Sequence, residues 1–258
     1  MAKPIHPIIP MTARLTHQIL DPASLTRERR DEVFALFSRC YDCVNEETFQ
    51  RDLEAKTSII LLSDEAGGLV GFSTQQVYEW ELSGEPIRII YSGDTVIDPA
   101  SWGSQELAKA WCRVAAAAML GPRTTRTFWF LISKGCRTYL YLPLFFRHFI
   151  PGVGEAGAPN EWKGLLDELA IHKFGEAYDK RTGLIRFPAS RGQLIPELAT
   201  VPVSRRDDPH VAFFLERNPD YTKGVELACL AEVSLENTHG VGRRWLNQAL
   251  SLQSTHPA

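Results

Sequence analysis

Asp94 makes the clearest case for chemistry in this chain. It stands inside a β-branched, largely apolar run, Ile87–Ile97, directly after Gly93 in the stretch Tyr91-Ser92-Gly93-Asp94. Aspartate is disfavoured in a strand interior, so its presence needs a reason. A carboxylate there either accepts structural hydrogen bonds or takes a proton from a reacting group. Gly93 permits a bulge that would open a sheet at the same point. Glu79 and Glu81 on the preceding run are alternative bases, although both read more simply as solvated edge positions. Ser92 has no visible histidine and aspartate partners in a triad arrangement. His148 reads as a surface or core histidine.

The strand pattern then breaks at Asp98-Pro99-Ala100-Ser101-Trp102-Gly103, and Ser104 or a neighbour opens an Ala-rich helix. A helix N-terminus offers unpaired N–H groups and the positive end of a dipole, so it binds phosphate. Trp102, Gly103, Ser104 and Gln105 would supply those donors, with the Ser104 and Gln105 side chains adding contacts. The charge distribution points the same way. Residues 100–150 hold seven basic side chains (Lys109, Arg113, Arg123, Arg126, Lys134, Arg137, Arg147) against Glu106 alone, a net of +6 in a chain that totals −3. Such asymmetry suggests an anionic partner for this part of the chain, or else a solvated basic face.

Five cysteines, few and odd in number, fit a reducing compartment, so a cytoplasmic location is expected. Cys40-Tyr41-Asp42-Cys43 has redox or zinc spacing but lacks a second pair, and reads as two small residues at a helix end. No metal site is expected. No run approaches the length of a membrane span. The prolines at 4, 7 and 10 suggest a disordered leader over 1–12.

The elements that would position these residues follow from periodicity. Ala13–Leu20 reads as a strand. Leu25 to Cys40 repeats apolar residues at three- and four-residue steps and reads as a helix. Asn45 caps a second helix with Glu46 and Glu47 in its first turn. Thr57–Leu62, Leu69–Trp80 and Ile87–Ile97 read as three consecutive strands, and so as an antiparallel meander. A helix from about Ser104 to Met119 precedes a strand at Thr127–Ser133, which implies a parallel crossover. Arg137–Phe149 reads as a helix bent by Pro143. After a joint at 151–159 come a helix from Trp162 to Phe174, a short strand at Gly183–Phe187 and an irregular stretch over 188–207. A helix from Pro209, a strand at Val225–Val233 and a closing helix at Val241–Leu252 complete the chain. The expected fold class is α/β, with a mixed, mostly antiparallel sheet covered by helices.

This order resembles the GNAT superfamily of N-acyltransferases, whose core runs strand, two helices, three strands, helix, strand, helix and two final strands. The resemblance covers about Ala13 to Phe149, with the last parts following an insertion at about 151–207 in a single domain over 13–258. The superfamily marker is a Val-x-Pro followed by Arg-Gly-x-Gly before the helix. Here Ile97, Pro99 and Gly103 match, while Trp102 stands in place of the arginine and Gln105 in place of the second glycine.

The resemblance implies an acyltransferase that moves an acyl group from acyl-CoA or an acyl carrier protein to a small amine acceptor. The acyl thioester would be a co-substrate, with no permanently bound cofactor. Ile97, Trp102, Gly103, Ser104, Gln105 and Lys134 would hold the donor, and an extended pantetheine arm would pair with strand groups like an added strand. The departures from the marker loosen a standard acetyl-CoA grip and bring an acidic carrier protein forward as donor. Asp94 would be the base, and Tyr139 or Tyr141 the acid that protonates the leaving thiolate. The dense aromatics from Phe128 to Phe149 read first as core, and second as an acyl tunnel of the kind found in the branch that makes acyl-homoserine lactones and N-acyl amino acids. A non-catalytic binding module, or a thioester hydrolase or decarboxylase, remains an alternative on the same fold. Nucleic acid is not an expected partner.

Overall fold

A computed structural model describes residues 14–121, 126–153 and 158–254. The leader expected over 1–12, Ala13 of the first strand, Arg123 and the middle of the 151–159 joint lie outside the described residues. The chain opens with β1 (Thr16–Leu20), α1 (Arg27–Cys40), β2 (Tyr41–Asp42) and α2 (Glu46–Glu54). There follow β3 (Ser58–Ser63), β4 (Leu69–Leu82), β5 (Glu85–Ile97), α3 (Glu106–Met119) and β6 (Arg126–Ser133). Two short helical turns, α4 (Cys136–Tyr139) and α5 (Tyr141–Phe145), lead to α6 (Glu161–Phe174). The remainder is β7 (Tyr178–Asp179), β8 (Leu184–Ile185), β9 (Gln193–Leu194), α7 (Pro196–Ala199), α8 (Pro209–Arg217), β10 (Glu226–Glu232) and α9 (Gly240–Ser254).

The main sheet has the order β1-β3-β4-β5-β6-β10-β8-β7. Every adjacent pair is antiparallel except β5 and β6, which run parallel on either side of the α3 crossover. This is the mixed, mostly antiparallel sheet that the element order implies. β3 shows how the layers form. Ile60 and Leu62 join the core beneath α3 and α9, whereas Ile59 and Leu61 join the core beneath α1 and α2. Both faces are covered, so the strand reads as a continuous apolar run. α6 packs on the same face as α1 and α2, over Phe128 and Phe130 of β6 and Leu230 of β10. No described helix is long and apolar enough to cross a membrane.

Local chemistry fixes several boundaries. The Asn45 side chain accepts from the Thr48 N–H and starts α2, and Asp208 caps α8 by accepting from the His210 and Val211 N–H groups. Ser83 and Gly84 both have positive φ, 55° and 85°, so the β4–β5 turn needs only two residues. Glu85 and Pro86, expected in the turn, therefore belong to β5. Pro86 is tolerated because β6 first pairs at Ile87.

The helix expected over Arg137–Phe149 is instead the two turns α4 and α5, followed by bridge pairs at Phe146 and Ile150. The break falls at Leu140 and not at Pro143. Pro143 sits in the first turn of α5, where its missing N–H costs nothing. The irregular stretch over 188–207 contains β9 and α7, and β9 pairs with β2. Cys43 is not a helical residue. It is exposed, with φ at 56°, while Cys40 ends α1 and is buried.

Candidate active site

One extra residue in β5 aims the site. Ser73 pairs with Thr95 and Gln75 with Ser92, so Thr74 alone faces both Gly93 and Asp94. Side chains alternate along a strand, and an inserted residue reverses their parity. Ile90 lies in the core beneath α3, and Ser92 faces the same side. Without the bulge Asp94 would follow them. With it, Asp94 lines a cavity on the opposite side, against Phe37 and Phe49 and the end of α6. Gly93 lets the neighbours close in at this point: a Cβ there would lie 2.7 Å from Lys56 Cε and 2.8 Å from Thr74 Oγ1, so one of them would have to move.

The sheet also parts here. β5 and β6 pair from Ile87–Arg126 to Ser92–Leu131, yet β5 continues to Ile97 and β6 to Ser133. Three cavities open around this parting, and Thr95 and Thr138 line all three. The Thr95 hydroxyl is held 2.8 Å from the Ser73 hydroxyl.

The first cavity, about 190 Å³, contains Asp94. It is walled by Tyr41, Asp52, Tyr91, Lys134, Lys173, Arg191 and Glu226. Burial pushes the half-buried Asp94 carboxyl above its ordinary range. The Lys134 charge opposes that, Asp52 adds to it, and Lys56 and Arg191 pull back down. No side-chain hydrogen bond holds Asp94 among the described residues. Lys173 is pushed down to about 8, chiefly by burial and then by Lys56, with Asp52 opposing. Its ammonium donates to Gln76 Oε1 at 2.8 Å and sits 4.1 Å from the Tyr91 ring centre. Lys56, almost wholly buried, is paired with Asp52.

The second cavity, about 390 Å³, adjoins the first through Tyr41, Thr95 and Thr138 and runs toward the C-terminal end of β5. Trp102, Gly103 and Ser104 line it together with Ile97, Gly135, Arg137, Tyr141 and Arg205. Gln105 does not line it. The Trp102 and Ser104 N–H groups are spent on Pro99 and Ser101 carbonyls, which corrects the expectation that the whole loop offers donors. Gly103 and Gln105 keep N–H groups without an internal partner among the described residues. Trp102 also donates its indole N–H to the Ile97 carbonyl at 3.0 Å, and Arg137 stacks 3.6 Å from the Trp102 ring centre. The Trp102 ring, at the position where the resemblance has arginine, thus carries the Arg137 guanidinium stacked on it.

The third cavity is a recess of about 30 Å³ lined by Trp111, Trp129, Leu107, Ala108, Leu131 and Phe145, among others. Ser92 meets it, but its hydroxyl accepts the Trp129 indole N–H at 2.8 Å. Of the Phe128–Phe149 aromatics, Phe128, Phe130 and Tyr139 are fully buried core, whereas Trp129, Tyr141 and Phe145 line the recess.

Three expected site residues land differently. Lys134 does not reach the loop cavity. The β10–β6 register sets Leu227 opposite Ser133, and so brings Glu226 to Lys134. Both are buried and their charged atoms are 3.4 Å apart, while Lys134 also donates to the Arg191 carbonyl at 2.9 Å. Tyr139 lines none of the three cavities. Its hydroxyl donates to the Pro151 carbonyl at 3.0 Å among Phe149, Phe213 and Phe214. Tyr141 lines both the loop cavity and the recess, and burial raises its phenol, which keeps it protonated. Tyr139→Phe is therefore expected to lower unfolding free energy by about 1–3 kcal/mol, the cost of an unsatisfied buried acceptor, with kcat retained. Urea denaturation beside a rate assay checks it.

The basic segment is not one face. Lys109 pairs with Glu106 at 3.2 Å, Arg126 with Glu161 and Glu232, and Arg113 lines a groove between α3 and α9 on another side. Of the segment's described basic residues only Arg137 lines the loop cavity. Sequence reasoning missed Lys173, Arg191, Asp52 and Glu226. Two of them left a signal. Lys173 follows Leu169 and Ala170 at helical spacing on the buried stripe of α6, and Glu226 opens a strand that is apolar from there until Glu232.

No known protein family and no curated protein matches the sequence. Among solved structures, the chain is similar to N-acyltransferases. A candidate N-acyltransferase from Enterococcus faecalis V583 shares 13% identity at a TM-score of 0.40, over 52% of this chain and 33% of that one. This chain thus spans about a third of that protein's length. Glucosamine-6-phosphate N-acetyltransferase from Arabidopsis thaliana shares 15% identity at 0.33, over 45% and 81% of the two chains. A GNAT family N-acetyltransferase from Escherichia coli in complex with CoA shares 12% at 0.34, over 56% and 72%.

Proposed function

We propose that this protein is an N-acyltransferase that moves a short acyl group from a thioester donor to a small amine. The observation that carries the reading is the meeting of three cavities at Thr95 and Thr138, where β5 and β6 part, with Asp94 in one of them. Beyond Ser92 the side of β5 that faced β6 has no strand to pair with, so an extended pantetheine arm can take that place. The donor enters from the loop cavity. The Gly103 N–H, with Arg137 and Arg205, suits the phosphates of CoA or of a carrier's phosphopantetheine. The amine enters from the Asp94 cavity, so the inserted 151–207 segment, which supplies Lys173 and Arg191, forms part of the acceptor site.

Asp94 removes a proton from the acceptor ammonium. The freed nitrogen lone pair attacks the thioester carbonyl, and the tetrahedral intermediate collapses with cleavage of the C–S bond. Tyr141 protonates the departing thiolate, and the proton that the nitrogen sheds as the neutral amide forms restores the Tyr141 phenol. The recess supports a short acyl group. A water needs roughly 10–15 Å³ on the scale of its 30 Å³ volume, leaving room for two or three non-hydrogen atoms.

Mass spectrometry of an amine mixture incubated with acetyl-CoA tests the reaction. The expected result is an acylated amine in equal amount to released thiol. Arg137→Glu is expected to raise the donor KM about tenfold or more, as loss of a charge-assisted phosphate contact would. Thiol release without any acylated amine would show a hydrolase and overturn the reading.

A further inference from the structure

The charges around Asp94 are unevenly satisfied, and the imbalance describes an acceptor. Two of the cavity's three acids have internal partners: Asp52 pairs with Lys56, and Glu226 with Lys134. Asp94 has no ion pair among the described residues. On the opposite side of the ledger, Lys173 and Arg191 have no carboxylate within ion-pair distance among the described residues. Lys173 rests on the Gln76 amide and the Tyr91 ring, and the Arg191 guanidinium sits 4.3 Å from the Phe187 ring centre. The cavity therefore presents one uncommitted carboxylate, beside the point where the sheet parts, and two uncommitted cations. A simple amine would satisfy the first and leave the cations idle. A polyamine would meet repulsion from them.

We infer that the acceptor is an amino acid, its amine directed to Asp94 and its carboxylate held by Lys173 and Arg191. The inference rests on the acyl-transfer reading and deepens it. Arg191 offers a planar fork that matches a carboxylate, and Lys173 adds a point charge beside it. The two come from segments far apart in sequence, α6 and the loop before β9, which the fold brings to one cavity. A volume of about 190 Å³ suits a small molecule and not a protein segment.

The test is a steady-state panel with acetyl-CoA as donor. Each amino acid is compared with the amine that lacks its carboxylate: alanine with ethylamine, leucine with isopentylamine, phenylalanine with phenethylamine. β-Alanine, γ-aminobutyrate, phosphoethanolamine and spermidine complete the panel. For at least one pair, the amino acid is expected to have a kcat/KM about ten- to a hundredfold above its matched amine, the range for charge-assisted bonds. The difference should lie in KM. Arg191→Ala and Lys173→Met should each collapse that ratio toward one, while Arg191→Lys and Lys173→Arg retain much of it. Thermal melting of each variant shows that it is folded.

Equal use of both members of every pair, or a preference for spermidine, would overturn this inference and leave acyl transfer standing. A preference for phosphoethanolamine over every amino acid would overturn the carboxylate assignment. Acylation of no amine at all would instead fail the acyl-transfer reading itself.

Discussion

Asp94→Asn is expected to lower kcat by about 10²-fold or more, the low end of what a positioned acid or base contributes. Asparagine keeps the shape and the bulge but has no lone pair basic enough to take an ammonium proton. Donor affinity should be nearly unaffected, because Asp94 does not line the loop cavity. The pH profile provides the internal check. Burial holds the Asp94 carboxyl above its ordinary range, so base function, which needs the ionised form, is lost as pH falls through that raised value. The acid limb of kcat/KM should therefore lie above the usual carboxylate range in the wild type and disappear in the variant. The alkaline limb should fall near 8, where Lys173 loses the charge that holds the acceptor. The groups facing Lys173 are Tyr91, Gln76, Lys56, Asp52 and Arg191, and Lys173→Arg should move that limb upward. Unchanged kinetics in Asp94→Asn across the accessible pH range would remove Asp94 from the mechanism.

Lys134→Met is expected to destabilise the fold by about 3–5 kcal/mol, because it leaves Glu226 buried without its counter-charge. Lys134 and Glu226 are 8% and 5% exposed, so water cannot replace the lost partner. A donor-contact residue on the surface would change stability by a few tenths of a kcal/mol, so the size of the effect separates the two assignments. Burial already raises the Glu226 carboxyl, and removing Lys134 raises it further. A group whose folded value lies above its unfolded one stabilises the fold below the unfolded value and loses that contribution as pH rises through the folded one. The deficit of Lys134→Met should accordingly grow from mildly acid to neutral pH. Adding Glu226→Leu should restore most of the stability, since both charges are then gone. Urea midpoints at two pH values for the single and double variants measure this, with an unchanged m-value as the sign that only stability moved. A single variant as stable as the wild type would overturn the pairing.

Much of the chain's organisation was legible without coordinates, and the reasons are local. The alternating and 3.6-residue periods mark β3, β4, β5, α1 and α6 because each element must bury one face or both. Asn45 announces α2 because a side-chain oxygen can satisfy the first free N–H groups of a helix, and Pro209 announces α8 because the first helical position needs no N–H. Gly93 announces the bulge, since a glycine inside a strand permits one. Asp94 followed as the candidate base from its improbable place in a strand. Where sequence reading failed locally, as at Arg137–Phe149, a proline was read as a bend although its position in a first turn suits it well.

What the sequence left open was every question about which charge meets which. Tyr139 and Tyr141 differ by two residues and have nearly identical surroundings in sequence. Only the packing of Phe213 and Phe214 of α8 against α4 makes one a core residue, while the other lines the loop cavity. The seven basic residues of 100–150 read as one patch because they are close in sequence. The fold disperses them, since successive side chains on helices and strands point in different directions and meet acids from other segments. Lys134 finds Glu226 across 92 residues of chain through the β10–β6 register. Propensity, capping and periodicity act over a few residues and so are written in the sequence. Ion pairs and cavity walls join segments tens of residues apart, and their identity depends on strand register and on the parity that a single bulge reverses.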